Sequence, residues 1–340
     1  MQLIDKESTE EGVSAAPLII SGAGMGQKKS LFAFSVMITT RNRVEDLQRT
    51  VAVLKRLDPP PLEILITADG CTDGTGEFVR TELPAARLIV NAVGRGSVVS
   101  RDRMLREAAG DLVLALDDDS YPEQTDCLAR LAGLFAGRPQ LSVAHFPQHS
   151  DEYPVTLTQT EFGEPRLTRS FANSGACFRR SIYLQLPGFE PRFFHMYEEP
   201  DYALQCAAAG FEVYYTSVIT IRHHWSGQAR NELRVHQLHA RNEIWSAAMR
   251  CPFPFVFPMI AWKIFTQFRF AVKRGPRWFL REPVWWWKAV IGLPGILRKR
   301  RAVSWTGYRR WLRLEDKQWL DAVAENPSFW KARRTLREAE

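Results

Sequence analysis

The chain has 340 residues, 45% apolar and 24% charged, which is ordinary for a globular protein and enough for one large domain or two smaller ones. Its net charge of +7 is unevenly divided: residues 1–250 carry a net −5 and residues 251–340 a net +12, along with nine of the eleven Trp. The five Cys at 71, 127, 177, 206 and 251 include no Cys-x-x-Cys pair, which excludes a zinc knuckle or disulfide framework and fits a reducing, cytoplasmic compartment.

Residues 1–30 open with acids and lack a basic segment followed by an apolar core, so they read as a flexible leader rather than a signal peptide. "SGAGMGQ" at 21–27 has the glycines of a dinucleotide loop but precedes the first strand instead of following one, and fails that reading. From Leu31 onward strands and helices alternate. "FAFSVMITT" (32–40) is a β-rich run, and Val44, Leu47, Val51 and Leu54 recur at helical spacing over 44–57. "LEILITA" (62–68), "RLIVN" (87–91) and "DLVLAL" (111–116) are further strands, with helices over 74–83 and 98–109 between them. A helix over 123–135, a strand over 141–146 and an irregular stretch over 147–172 follow. Residues 172–189 give a strand, a turn and a short helix. The last part of this region gives a helix, Gly210 as its C-cap and one final strand. Such alternation predicts a mostly parallel sheet covered on both faces, with ligands beyond the carboxyl ends of its strands.

Three of those strand ends carry chemistry: Thr39 to Arg43, Asp69-Gly70, and the triplet Asp117-Asp118-Asp119. Three adjacent carboxylates repel one another, and a divalent cation is the simplest partner for them. The competing reading makes one of them a cap for a helix starting near Pro122. Asp73 reads as an Asx turn or N-cap. In "FHMYEEPDYALQ", Pro200 suits a first helical turn and sets Glu199 at or near the N-cap, where the positive helix end keeps a carboxylate ionised.

Residues 34–245 resemble a family 2 glycosyltransferase of bacterial type with the GT-A fold. The likeness rests on "SVMITTRNR", "ADGCTDGT", "SRDRMLREAAGDLVLALDDDS", the stretch from "NSGACFRR" to "GFEVYY", and "RHHWS", in that order. It implies a hexosyltransferase that moves a sugar from a nucleoside diphosphate to an acceptor hydroxyl, usually with inversion, on Mg2+ or Mn2+. The resemblance places Asp117 at the ribose, Asp118 in packing or support of the nucleotide-sugar, and Asp119 with His223 at the metal. Ser226 follows that histidine. Asp69 meets the base, while Thr39 and Arg41 meet the nucleotide. Arg101 meets the diphosphate or base, although Asp102 stands where the family commonly has Asn. The expected acceptor-side acids are Glu199 as base, Glu198 as its alternative, and Asp201 as loop holder or acceptor contact. Arg103 and Arg106 read as solvated helix charges.

Over 251–340 the longest charge-free run, Cys251–Trp262, is 12 residues, too short to cross a membrane. Lys263, Thr266, Gln267, Lys273 and Arg274 gather on one helical side, with Ile264, Phe265, Phe268 and Val272 opposite. That pattern suits a membrane interface, or an apolar face packed on the body or on a second copy. The organisation expected is a leader (1–30), a catalytic domain (31–250) and a basic helical extension (251–340). The expected location is peripheral, at the cytoplasmic face of the inner membrane, with a growing cell-envelope polysaccharide or glycolipid as acceptor and no nucleic-acid partner. The rival readings are a sugar-nucleotide pyrophosphorylase, which lacks its early Gly-rich loop here, and a non-catalytic transferase-like membrane adaptor.

Overall fold

The computed structural model describes residues 31–150, 164–224 and 231–314. The leader, Ser226, part of the irregular stretch and the tail beyond Leu314 lie outside the described residues. An eight-stranded sheet comprises β1 (Phe34–Thr40), β2 (Glu63–Asp69), β3 (Arg87–Asn91), β4 (Leu112–Asp117), β6 (Leu141–His145), β8 (Arg166–Leu167), β9 (Gly175–Arg179) and β10 (Glu212–Tyr215). Their order is β3-β2-β1-β4-β9-β6-β10-β8. A second sheet has the order β5-β11-β7, with β5 spanning Ser120–Pro122, β7 Gln148–His149 and β11 Ile221–His223.

The first four strands of the large sheet are parallel, because a helix returns the chain to the same end of the sheet each time, with β2 and β3 on one side of β1 and β4 on the other. These helices are α1 (Val44–Leu54), α2 (Thr75–Glu82) and α3 (Ser97–Glu107). β9 runs antiparallel to both β4 and β6 and makes the sheet mixed. The remaining helices are α4 (Cys127–Ala136), α5 (Arg180–Gln185), α6 (Glu198–Ala209), α7 (Glu232–Arg250), α8 (Val256–Arg274), α9 (Pro276–Phe279), α10 (Glu282–Leu297) and α11 (Trp305–Leu312).

The central strands read as unbroken apolar runs because both of their faces are buried. In β4, Leu112, Leu114 and Leu116 enter one core with Val36 and Ile38 of β1, while Val113 and Ala115 enter the other with Met37. This is the period of two that a strand imposes.

Two local expectations are corrected. The helix expected from Glu123 starts at Cys127, because Ser120–Pro122 is a strand held against β11. The aspartate triplet therefore caps no helix. The single final strand is two, β10 in the large sheet and β11 in the small one. Gly210 is the C-cap of α6 at φ 86°, as expected. Asp73 accepts from Thr75 N at 3.2 Å and from Val44 N at 2.9 Å, so it serves the first turns of both α2 and α1.

Asp201 lies in α6 with both carboxylate oxygens engaged. Ser246 Oγ (2.7 Å) and Arg250 Nε (3.2 Å) donate to one, Arg250 Nη2 (3.0 Å) and Gln205 Nε2 (2.8 Å) to the other. Both partners of this ion pair are buried. The contacts describe a bolt between α6 and α7. Breaking a buried pair from one side leaves an uncompensated charge, which costs about 3–5 kcal/mol. Arg250→Met is expected to lose about that much stability in urea denaturation; an unchanged midpoint would show that the bolt holds nothing.

Candidate active site

The turn between β4 and β5 carries the triplet, and neighbouring residues fix its shape. Ser120 Oγ accepts from Asp117 N at 2.8 Å and donates to Ser174 O at 2.6 Å. Thr50 Oγ1 donates to Asp118 O at 2.7 Å. The small sheet then supplies the histidine. Antiparallel pairing sets His223 opposite Ser120, and parallel pairing sets Ile221 opposite Gln148.

The result is a compact ligand set. One atom each of Asp117, Asp119 and His223 lies within 4.8 Å of the others. Asp119 Oδ1 and His223 Nε2 approach to 3.2 Å, yet both atoms are buried and neither has a hydrogen-bond partner. Gln148 Oε1 stands 2.8 Å from His223 Nδ1, and Gln148 Nε2 donates to Ser174 Oγ at 2.8 Å. That chain puts the ring proton on Nδ1 and turns the Nε2 lone pair toward the carboxylate. Two facing electron-rich atoms, both buried and unsatisfied, fit a cation between them. The residues present are a candidate divalent-metal site.

The charge around this set is heavily negative. Arg43 Nη1 reaches Asp118 Oδ1 at 3.2 Å and Asp119 Oδ2 at 3.0 Å. Burial, and then the Asp119 charge, still push the Asp118 carboxyl up to about 7. Burial also opposes ionisation of Asp117, but Arg101 outweighs it and holds that carboxyl below its ordinary value. Arg101 is itself buried. It contacts Asp117 through Nη2 and donates from Nη1 to Glu198 Oε1 at 2.9 Å. Its guanidinium is thus committed to two carboxylates of opposite lips.

The Glu pair opens α6 after a sharp corner. Phe194, Met196 and Tyr197 all have positive φ, at 66°, 73° and 72°, a conformation that non-glycine residues adopt only when the surroundings impose it. Asn242 of α7 imposes it by donating from Nδ2 to the carbonyls of Phe193, His195 and Met196 at 3.1, 2.9 and 2.7 Å. Tyr197, not Glu199, is the N-cap residue, so Glu198 and Glu199 are the first two helical residues.

Glu198 Oε1 accepts from Arg101 and from Asn173 Nδ2 (3.3 Å), while Oε2 is buried without a partner. Glu199 is half-buried. The helix end does not keep it ionised as expected: burial, and then the Glu198 charge, raise its carboxyl to about 8 against the pull of Arg101.

On the other side, Asp69 Oδ1 accepts from Asn91 Nδ2 and Arg95 N, and Oδ2 from Gly96 N, all at 2.8 Å. A carboxylate offers about four lone-pair sites, so Oδ2 keeps capacity for one further donor. The loop that Asp69 organises walls a cavity of about 570 Å3 lined by Asn91, Val93, Gly94, Arg95 and Arg103. Arg41 lies against Gly94, and Thr39 sits in register between Thr67 and Asp117. Gly96, at φ 95°, lets this loop touch the acidic lip, since a Cβ there would overlap the Phe194 carbonyl.

Direct contacts thus bring Arg101, the triplet, His223 and Glu198 together, with Glu199 next in sequence and Thr39 in register with Asp117. Arg41 and Asp69 belong to the adjoining Gly94 loop, and Asp201 bonds to α7 instead. Gln148 and Asn173 contact the candidate site and are passed over by sequence reasoning, which names Arg43 only within the Thr39–Arg43 strand end and gives it no role. Arg43 stands two residues beyond Arg41 in the same loop, and no sequence signal marks the other two.

A curated relative, the uncharacterized glycosyltransferase YwdF of Bacillus subtilis (strain 168), is 25% identical over 182 residues, covering 51% of this chain and 67% of its own length. Among solved structures, S. aureus TarS 1–349 in complex with UDP-GlcNAc aligns with a TM-score of 0.55 at 16% identity, over 78% of this chain and 81% of that one. GalNAc-T7 with UDP, GalNAc and Mn2+ aligns with a TM-score of 0.54 at 12% identity, over 66% of this chain. The chain spans about half, 49%, of the GalNAc-T7 chain. These two likenesses establish the GT-A-like α/β fold. The sequence profile of glycosyl transferase family 2 matches residues 35–218, more than half of the sequence and nearly all of the cleft just described, and the chain belongs to that family.

Proposed function

We propose that the chain is a metal-dependent, inverting glycosyltransferase of bacterial type. It moves a hexosyl unit from a nucleoside diphosphate sugar to a hydroxyl on a glycan or lipid-linked glycan of the cell envelope. The observation that carries this reading is the buried, unbonded approach of Asp119 Oδ1 to His223 Nε2 beside Asp117. Likeness to a GT-A enzyme solved with UDP and Mn2+ supports the same reading.

In this assignment Thr39, Arg41 and Asp69 hold the nucleoside, with the base in the cavity beside Gly94. Asp117 meets the ribose edge. Asp118 tightens the turn through Arg43, and Arg101 fixes Asp117 against Glu198. Asp119 and His223 would hold Mg2+ or Mn2+, which would supply Lewis acidity to the diphosphate. Glu199 takes the proton from the acceptor hydroxyl as that oxygen attacks the anomeric carbon. The C–O bond to the diphosphate breaks as the new glycosidic bond forms.

Three outcomes are expected. Titration with Mn2+ and UDP in a calorimeter is expected to show metal-dependent nucleotide binding that Asp119→Ala removes. Gln148→Leu is expected to weaken metal affinity about 10–100-fold, because the Nδ1 proton loses its acceptor. Turnover is the deciding measurement: wild-type protein that binds nucleotide-sugars across a UDP, GDP and dTDP panel but never transfers or hydrolyses them would make it an adaptor instead.

The pH profile assigns the base. A carboxyl raised to about 8 must lose its proton to act. The kcat/KM value is therefore expected to climb about tenfold per pH unit below that value and level off above it. Glu199→Gln should abolish turnover while nucleotide binding persists. Glu198→Gln removes the neighbouring like charge and should move the acid limb to lower pH. The opposite pattern in the two variants would exchange their roles.

A further inference from the structure

Helix α8 packs inside out. Its polar side faces α7: Lys263 Nζ donates to Glu243 Oε1 at 2.7 Å, Gln267 Nε2 donates to Glu243 Oε2 at 2.6 Å, and Arg274 lies 3.8 Å from Glu232. Its apolar side faces out, with Trp262 61% and Phe265 52% exposed and Ile264, Phe268 and Val272 exposed beside them. α10 extends the same surface. Trp285 and Ala289 bury themselves against α7, while Trp287 is 66% and Ile291 59% exposed. Leu280, between α9 and α10 in the chain, is exposed as well.

Cations punctuate this surface. Arg269, Lys273, Arg277, Arg281 and Lys288 are all exposed. Residues 251–314 carry fourteen Lys and Arg against one acid, Glu282. That acid is buried on His236 (2.7 Å) and Trp285 (2.9 Å), so this stretch of the chain shows no carboxylate at the surface. No helix among the described residues is long and apolar enough to cross a membrane.

From the charge and the geometry together we propose that the outer face of α8, α9 and α10 docks flat on an anionic lipid bilayer. Aromatic and aliphatic side chains enter the headgroup boundary, and the basic side chains meet lipid phosphates. Near an anionic surface each Lys or Arg contributes about 1 kcal/mol, so five of them add decisively to the apolar burial. A second copy of the same face is a poor occupant, because it brings cation against cation with no acid to answer.

The docking also reaches the cleft. Lys263 Nζ contacts the Tyr197 hydroxyl at 3.3 Å, and Tyr197 precedes the Glu pair. Beside Phe194, a cavity of about 310 Å3 is lined by Arg234, Gln237, Leu238, Arg241 and Lys288. This places an anion-favouring recess between the corner that leads to Glu198 and the lipid-facing α10. A lipid-borne acceptor arrives from that side.

The test is co-sedimentation of the full chain with vesicles, either phosphatidylcholine alone or phosphatidylcholine with an equal part of phosphatidylglycerol. Binding to the anionic vesicles is expected to exceed binding to the neutral ones by about tenfold or more and to fall at high salt. Phe265→Glu with Trp287→Glu, and separately Lys273→Glu with Arg277→Glu, are expected to lower it about tenfold each. Both pairs are exposed, so circular dichroism and nucleotide binding should match the wild type. Equal binding to both vesicle types, undiminished binding by the folded variants, or a soluble dimer that either pair dissolves would overturn the proposal. Donor hydrolysis without vesicles reads the transfer reaction separately, so failure of docking and failure of catalysis are distinguishable.

Discussion

One buried guanidinium organises the cleft. Arg101 holds Asp117 from the metal-side turn and Glu198 from the opposite helix, and so ties two elements that approach from different parts of the chain. Around it stand five carboxylates, Asp117 to Asp119 and the Glu pair, with Arg43 as the other nearby guanidinium. The protein meets this excess in part by pushing Asp118 to about 7 and Glu199 to about 8. A dication at the candidate site would do the same electrostatic work, and metal binding at such a site is linked to proton release. Protonation of Asp118, protonation of Glu199 and affinity for a cation at the candidate site are therefore coupled.

Much of this was legible in the sequence because its signals are local. Apolar runs ending in Thr39, Asp69 and Asp117 mark strands whose carboxyl ends share one edge, and β1 to β4 follow that reading. The Asp triplet and His223 also announced themselves by type and order. What stayed hidden is set by pairing across the chain. β5 is three residues long and ends in Pro122, which looks like a helix start until β11 is laid beside it. Gln148 matters only because β7 brings it to His223, more than seventy residues away.

The acids of α6 show a second limit. Spacing located the Glu pair at a helix start, and a helix dipole alone favours the ionised form by about 0.3–1 kcal/mol. Burial and the like charge of the adjacent Glu198 are stronger; the second is written in the sequence, but the burial that gives it weight is set by the fold. Helix α8 shows a third. Periodicity sets Lys263, Gln267 and Arg274 opposite Ile264, Phe265, Phe268 and Val272, although Lys273, expected with the first group, is exposed. The position of Glu243 and Glu232 on α7 decides which side turns inward.

Asn242 and Glu243 are consecutive on α7 but serve different neighbours. Glu243 grips the lysine and glutamine of α8, while Asn242 pins three carbonyls of the corner at Phe194 to Tyr197. Each left-handed residue in that corner costs about 1–3 kcal/mol that a relaxed backbone would not carry. The corner is thus a loaded spring, held by Asn242 together with Arg241 Nη2 on the Phe193 carbonyl and Val98 N on the Phe194 carbonyl. Slackening α7 would loosen the backbone that carries both glutamates, with Arg101 still holding Glu198, whereas the candidate ligands Asp117, Asp119 and His223 belong to β4, the turn after it and β11.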